Sequence, residues 1–461
     1  MRPMRVKDIV RIVDGKLISG DGEGEVSSVQ IDSRKIKPGA LYVPIIGERV
    51  NGHTFISQVF EQGAVCSFTS DKTYAVKGKN CIYVKDTLYA MQTLATYYRS
   101  LFTMPVIGVT GSVGKTTTKE MISCVLEKKY RVLKTEGNLN SQIGVSLMMF
   151  KITEDTEVCV FEMGISEKHE MNVLARICDP DYGVMTNIGV SHIGQLGSRQ
   201  NICQEKSDIV NYFQNESKLY LCSDKDYEQL FMCTDHVGEV KMVTYATDKK
   251  ADFYAEDVKM ESETTSFTVK TKGAPDDHVT LSVLGMHNVS NALVALALGD
   301  ELGVEREKAK EALLAYRPIK MRGEVKKNDK FTVIDDTYNA SPDSIKSGLD
   351  MMFAMPGNQK IAVLADVLEL GEWSKECHQD VGKYIVEKVE QGCALSLLIT
   401  LGNEMVEASK IVADKTDVAV KHFGSNQEAI DYIKDFVQQD DIVFVKGSRG
   451  MHTDEIVNAL Q

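Results

Sequence analysis

Gly108-Val109-Thr110-Gly111-Ser112-Val113-Gly114-Lys115-Thr116-Thr117-Thr118 is the stretch on which the reading of this chain turns. The apolar run Val106 to Val109 leads into it, and Met121, Ile122, Val125 and Leu126 follow at the spacing of one helix face. Strand, glycine-rich turn and helix in that order are the setting of a phosphate-binding loop. Glycines let successive backbone N–H groups converge on phosphate oxygens, and the helix N-terminus adds partial positive charge. In that geometry Lys115 reaches the terminal phosphates and the Thr116 hydroxyl can ligate Mg²⁺. A strict version of the motif needs glycine at 109, where valine stands. The match is therefore to the Thr110–Thr116 core, with Thr117 next to it as a further nucleotide-binding candidate.

Working outward, strand-like runs at 157–163, 182–188 and 218–222 alternate with helical patterns, which predicts a parallel sheet. Short alternating runs between 251 and 285 predict a small β subsheet, followed by helices over 288–302 and 305–315. Beyond Tyr316-Arg317-Pro318, strands and helices alternate to Leu460, the pattern of a Rossmann-like doubly wound sheet. Before the phosphate loop, residues 1–102 read as a mixed α/β domain closed by a helix with Leu88, Met91, Leu94, Ala95, Tyr98 and Leu101 on one side. The expected fold is thus α/β in three domains: 1–102, a central P-loop NTPase-like domain over 103–317, and a C-terminal domain over 318–461.

The 461 residues carry 53 basic and 66 acidic side chains, a formal net charge of −13. No long basic run exists, so nucleic acid and anionic lipid are disfavoured as partners. No apolar stretch is long enough to span a bilayer. Met1 to Asp8 lacks the apolar core of an export signal, and the ten cysteines contain no CxxC pair. Reduced thiols, a cytoplasmic location and a monomer are expected. An acidic chain that binds a polyanion must do so locally, through backbone dipoles, single cations and metal.

Glu162 ends the 157–163 strand, where an open parallel sheet presents ligands. It can serve Mg²⁺, or be a solvated or helix-capping glutamate. His192 follows the next strand at the same edge, although a lone histidine is usually structural or solvated. Lys206, fourteen residues on, reads by itself as a solvated helix lysine.

Together these residues resemble the Mur ligases, ATP-dependent amide-forming enzymes of peptidoglycan precursor synthesis. Thr-Gly-Ser-Val-Gly-Lys-Thr is similar to that family's phosphate loop, which accounts for Val109. Glu162, Asn187, His192 and Lys206 fall in the family's order. Gly285-Met286-His287-Asn288-Val289-Ser290-Asn291-Ala292 resembles its HNxxNxxAA stretch. Asp32-Ser33-Arg34, Gly137-Asn138-Leu139-Asn140, Asp335-Asp336-Thr337-Tyr338-Asn339-Ala340, Ala365 to Gly371 and Lys446-Gly447-Ser448-Arg449 extend the resemblance over nearly the whole chain. Ser146 departs from it, where the family often has proline.

The resemblance implies three small-molecule substrates: ATP, a UDP-N-acetylmuramoyl-tripeptide and D-alanyl-D-alanine. Ser33, Arg34, Gly47, Asn51 and His53 would hold the uridine nucleotide. Asn138 and Asn140 would line the nucleotide or muramyl-peptide channel. Asn288 would contact adenine, and Arg322 and Asp336 would reach the nucleotide from the third domain. Asp336, Asn339 and Ser448 are the candidates for the dipeptide. One Mg²⁺ would sit at Thr116 and Glu162, and a second at Glu162 and His192. Lys206 would be carbamylated, a change that turns a cation into an oxygen ligand. Open and closed forms are expected, with hinges near 102–105 and 316–320. A diaminopimelate- or lysine-adding relative, a folylpolyglutamate synthetase and a nucleotide-driven switch are the competing readings.

Overall fold

The computed structural model describes residues 1–238, 240–261 and 263–461. Its centre is a nine-stranded sheet. The strand order is Asp277–Leu281, Thr265–Thr271, Phe253–Met260, Lys241–Ala246, Lys218–Cys222, Tyr182–Met185, Val106–Thr110, Val158–Glu162 and Val132–Lys134. All pairings are parallel from Val132–Lys134 to Phe253–Met260, and the last two strands run antiparallel in turn. The alternating runs of 251–285 are present as strands. They extend the edge of this same sheet, joined by the pairs Tyr245–Phe253 and Ala246–Tyr254. Val106, Ile107 and Val109 are fully buried, as a strand covered on both faces requires. Helix Lys115–Leu126 packs Met121, Ile122, Val125 and Leu126 into the core.

Before it lies a five-stranded mixed sheet, ordered Lys16–Ser19, Asn80–Tyr83, Cys66–Thr69, Ala40–Tyr42, Ser28–Gln30. Helix Thr87–Arg99 follows, capped by the Asp86 carboxylate accepting from Tyr89 N–H at 3.0 Å. The glycine-rich stretch 20–24 is a turn between strands.

After the central sheet comes a six-stranded one, ordered Glu324–Lys327, Thr332–Asp335, Ile442–Lys446, Lys360–Ala365, Leu397–Leu401, Ala419–Phe423. Five strands are parallel. Glu324–Lys327, which the sequence pattern did not reveal, adds an antiparallel edge. Helices Pro342–Ala354 and Ser374–Glu390 cover one face, and Asn426–Phe436 and Asp454–Leu460 the other. Helix Pro342–Ala354 starts firmly: Ser341 and Ser344 cap each other reciprocally and proline occupies the first turn.

Candidate active site

The carboxyl ends of the Val106–Thr110, Val158–Glu162 and Tyr182–Met185 strands open into one cleft of about 700 Å³. Its far wall comes from the six-stranded unit. The phosphate loop is held open by the loop that follows Tyr182–Met185. Val113 N–H donates to Asn187 Oδ1 at 2.8 Å, Ser112 N–H to the Asn187 carbonyl at 3.2 Å, and Thr186 Oγ1 to the Val113 carbonyl at 2.6 Å. Gly111, at φ +144°, lies so close to Thr186 that a Cβ would come within 2.0 Å of its hydroxyl. Only glycine fits there. Lys115 Nζ folds back onto the carbonyls of Gly111 (2.7 Å) and Ser112 (3.3 Å). Burial holds its pKa below the ordinary lysine value. Thr116 is buried beside it and Thr117 also lines the cleft, whereas Thr110 lies wholly inside the core.

Glu162 is buried, with Oε1 accepting from Asn140 Nδ2 at 2.8 Å and its backbone N–H donating to Thr135 Oγ1 at 2.8 Å. Its Oε2 is buried and has no hydrogen-bond partner. An orphaned carboxylate oxygen beside a buried threonine hydroxyl fits a hard cation such as Mg²⁺. Among the described residues no group of three or more His, Cys, Asp or Glu side chains could hold a metal alone. Other ligands, such as phosphate oxygens, are therefore needed.

His192, in the left-handed conformation at φ 62°, brings Nδ1 within 3.2 Å of Glu369 Oε2. Burial, then the charges of Lys206 and Lys115, push its pKa down to about 4, so the imidazole is neutral and able to ligate near neutrality. Lys206 is 1% exposed and lies behind this wall, outside the cleft lining. Its neighbour Glu205 points its carboxylate at the N–H groups of His169 (2.8 Å) and Met171 (3.0 Å). Burial, together with the charge of Lys115, holds Lys206 well below the ordinary lysine pKa.

From the six-stranded unit come Arg322, stacked at 4.0 Å on the Tyr338 ring, and Asp336, bonded to the buried Lys446. Lys446 also donates to the Asn339 carbonyl at 3.0 Å. Asn339 and Ser448 line the same wall, and Ser448 Oγ accepts from Leu368 N–H at 2.9 Å. Asn138 and Asn140 lie opposite.

Asn288 and the five candidates of the N-terminal unit also lie outside this cleft. Ser33, Arg34, Gly47, Asn51 and His53 belong to the N-terminal unit. Arg34 is exposed and paired with Asp32 at 2.9 Å. Gly47 N–H closes a tight turn on the Val50 carbonyl. His53 is buried with both ring nitrogens engaged, Nδ1 with Asn51 Oδ1 at 2.8 Å and Nε2 with Ser70 N–H at 3.0 Å. Its ring therefore braces the Asn51 turn. Asn288 donates to the Leu284 carbonyl at 2.7 Å, within its own helix start. Asn291, one turn on, lines the cleft instead and accepts from Thr118 Oγ1 at 2.8 Å. The spacing of the 285–292 stretch did not distinguish these two asparagines. Thr135, Thr186, Lys446 and Glu369 were also missed as site residues, because their roles depend on strands far apart in sequence.

A phosphate loop in a parallel sheet, facing a Rossmann-like unit across one cleft, defines an ATP-dependent ligase of the three-domain type. Family models match the chain in three consecutive stretches. These are the Mur ligase family catalytic domain over 25–99, the Mur ligase middle domain over 109–299, and the Mur ligase glutamate ligase domain over 321–449. The chain belongs to the Mur ligase family. It is 36% identical over 461 residues to the UDP-N-acetylmuramoyl-tripeptide–D-alanyl-D-alanine ligase of Bacillus subtilis (strain 168), covering 99% of this chain and 98% of that one. The enzyme of the same name from Treponema pallidum (strain Nichols) is 32% identical over 438 residues, covering 92% and 91%. A crystal structure of MurF from Acinetobacter baumannii superposes with a TM-score of 0.89 at 25% identity, covering 100% of this chain and 99% of that one.

Proposed function

We propose that this protein joins D-alanyl-D-alanine to a UDP-N-acetylmuramoyl-tripeptide at the expense of ATP, forming ADP and phosphate. The observation that carries the reading is the single cleft that gathers Lys115, Thr116, Glu162 and His192 from the central unit with Asp336, Asn339 and Ser448 from the C-terminal one. The peptide carboxylate attacks the γ-phosphorus and ADP leaves. The dipeptide amine then attacks the acyl carbon of the acyl phosphate, and inorganic phosphate departs with the former carboxylate oxygen.

Two anions meet in the first step, so the loop N–H groups and Lys115 must offset their repulsion. Lys115 exchanges its contacts with Gly111 and Ser112 for phosphate oxygens. Thr116 and Glu162 would hold Mg²⁺, which supplies further charge neutralisation when bound. His192 and a carbamylated Lys206 would complete a second site. Carbamylation requires a neutral amine, and the burial of Lys206 favours one. The N-terminal unit, residues 1–102, would bind the uridine nucleotide through Ser33, Arg34 and the Gly47–His53 turn.

Among the described residues no helix is long and apolar enough to cross a membrane. The substrates of this reading place the enzyme in the cytoplasm. The test is phosphate release measured with each substrate omitted in turn. Release should require ATP, the tripeptide and D-alanyl-D-alanine together, and should cease when the metal is chelated. Stimulation by a free amino acid in place of the dipeptide would shift the assignment to a sister ligase. Steady turnover of ATP alone would defeat it.

A further inference from the structure

The loop after Tyr182–Met185 has two sides. Its inner side grips the phosphate loop: Gly189 N–H donates to Ser112 Oγ at 2.9 Å, and Ser191 Oγ lies 3.4 Å from the Ser112 carbonyl. That carbonyl is one of the two on which Lys115 Nζ rests. From below, Arg199 clamps the Ile188 carbonyl with Nε at 3.2 Å and Nη2 at 2.9 Å, while Asp226 holds the guanidinium at 2.8 Å through both oxygens.

The outer side meets the C-terminal unit. Asp343, in the first turn of helix Pro342–Ala354, accepts from Val190 N–H through Oδ2 at 3.2 Å. The same oxygen sits over Gly189, where a Cβ would come within 2.1 Å of it. Arg199 feels the Asp343 charge as well. The helix start also favours a carboxylate there. A second contact, between His192 and Glu369, lies nearer the chemistry.

We propose that Asp343 is a positioning residue whose carboxylate, docked on the Gly189–Val190 peptide, couples phosphate occupancy of the nucleotide loop to docking of the C-terminal unit. The path is short and continuous: Asp343, the 189–190 peptide, Ser112, Lys115. Docking fixes the Gly189 N–H against Ser112 and so holds the loop ready for phosphate. By reciprocity, phosphate in the loop favours docking. The proposal rests on the ligase reading for its nucleotide.

The test uses the full chain with Mg²⁺ and a non-hydrolysable ATP analogue, and reads both analogue affinity by calorimetry and the radius of gyration by X-ray scattering. Wild type should compact on binding. Asp343→Ala should weaken the analogue about fivefold or more and suppress the compaction, a loss typical of coupling between sites. Gly189→Ala should do the same, because its methyl group displaces the carboxylate. The double variant should be no worse than the weaker-binding single variant, since both changes remove one contact. Asp343→Asn keeps an accepting oxygen and should fall between wild type and Asp343→Ala. Unchanged affinity and compaction in Asp343→Ala, or additive losses in the double variant, would overturn the coupling. Analogue binding by a wild-type protein that fails the substrate-omission assay would defeat the ligase reading alone. Wild type that binds no analogue would defeat both.

Discussion

The two junctions between neighbouring units are built differently. At the first, helix Thr87–Arg99 is stapled to the central unit by buried side chains. Tyr98 donates its hydroxyl to the Ile152 carbonyl at 2.8 Å and accepts from Arg2 N–H at 2.7 Å. Arg99, 7% exposed, donates to the carbonyls of Cys178 at 2.9 Å and Phe102 at 2.8 Å and pairs with Asp181 at 3.7 Å. Gln92 reaches Gln142 at 2.9 Å. At the second, the polar contacts include the Asp343 carboxylate on the Val190 N–H and Glu369 beside the His192 ring, with Gly371 and Gly194 in touch. Buried, hydrogen-bonded staples must be broken to move, whereas contacts to backbone at a cleft edge can be made and released at little cost. Hinges are expected near 102–105 and 316–320, and this contrast predicts that the larger motion is at the second. The first two units should then move together while the third docks and undocks.

The contrast is sharpest for chemistry, which belongs to the second junction. Lys206→Ala removes the buried amine behind His192 and leaves the first junction intact. Ligation should fall by on the order of a hundredfold or more, and small carboxylates such as acetate or formate should restore part of it. Steady-state phosphate release with and without added carboxylate checks this. Activity close to wild type would remove Lys206 from the site.

Stability should answer to the first junction. Arg99→Met keeps much of the aliphatic volume and leaves the Cys178 and Phe102 carbonyls without their donor. A loss of about 2–4 kcal/mol is expected for buried groups left unpaired. It should appear as a lower urea midpoint, with the nucleotide-induced compaction retained. A variant that lost compaction and kept its midpoint would reverse the roles assigned to the two junctions.

Much of this was legible in the chain itself. The strand–loop–helix of 106–126 and the alternation beyond 318 are local patterns, and the structure carries that alternation through helices such as Ser374–Glu390 to Asp454–Leu460. Lys115 and Thr116 were legible from the glycine-rich loop, and Glu162 and His192 from strand ends that converge on one edge of a parallel sheet; the structure brings all four to one cleft. What stayed hidden depends on geometry between distant segments. Thr135 meets the Glu162 N–H with its hydroxyl, and Asn291 rather than Asn288 lines the cleft because helix Met286–Glu301 turns that face to Thr118. The interdomain role of Asp343 has no local signature, since a carboxylate in a first helical turn is ordinary. Strand Glu324–Lys327, with two lysines in four residues, lacked the apolar pattern that marks a strand.

His53 supplies the smallest and most local test, confined to the N-terminal unit. Its buried ring is held neutral, with a pKa below the ordinary 6.5 because burial outweighs the attraction of Asp71. The unfolded chain therefore binds a proton that the folded one resists. Stability from this group is fully present above about pH 6.5 and declines as pH falls from there toward the folded value. The wild-type melting temperature should drop between about pH 7.5 and about pH 5.5 more than that of His53→Gln, which cannot take up the proton. Because the first junction is rigid, the loss should unfold the first two units together, giving one transition for both. A separate early transition of the N-terminal unit alone would show that the staples at Tyr98 and Arg99 do not bind the two units into one cooperative body.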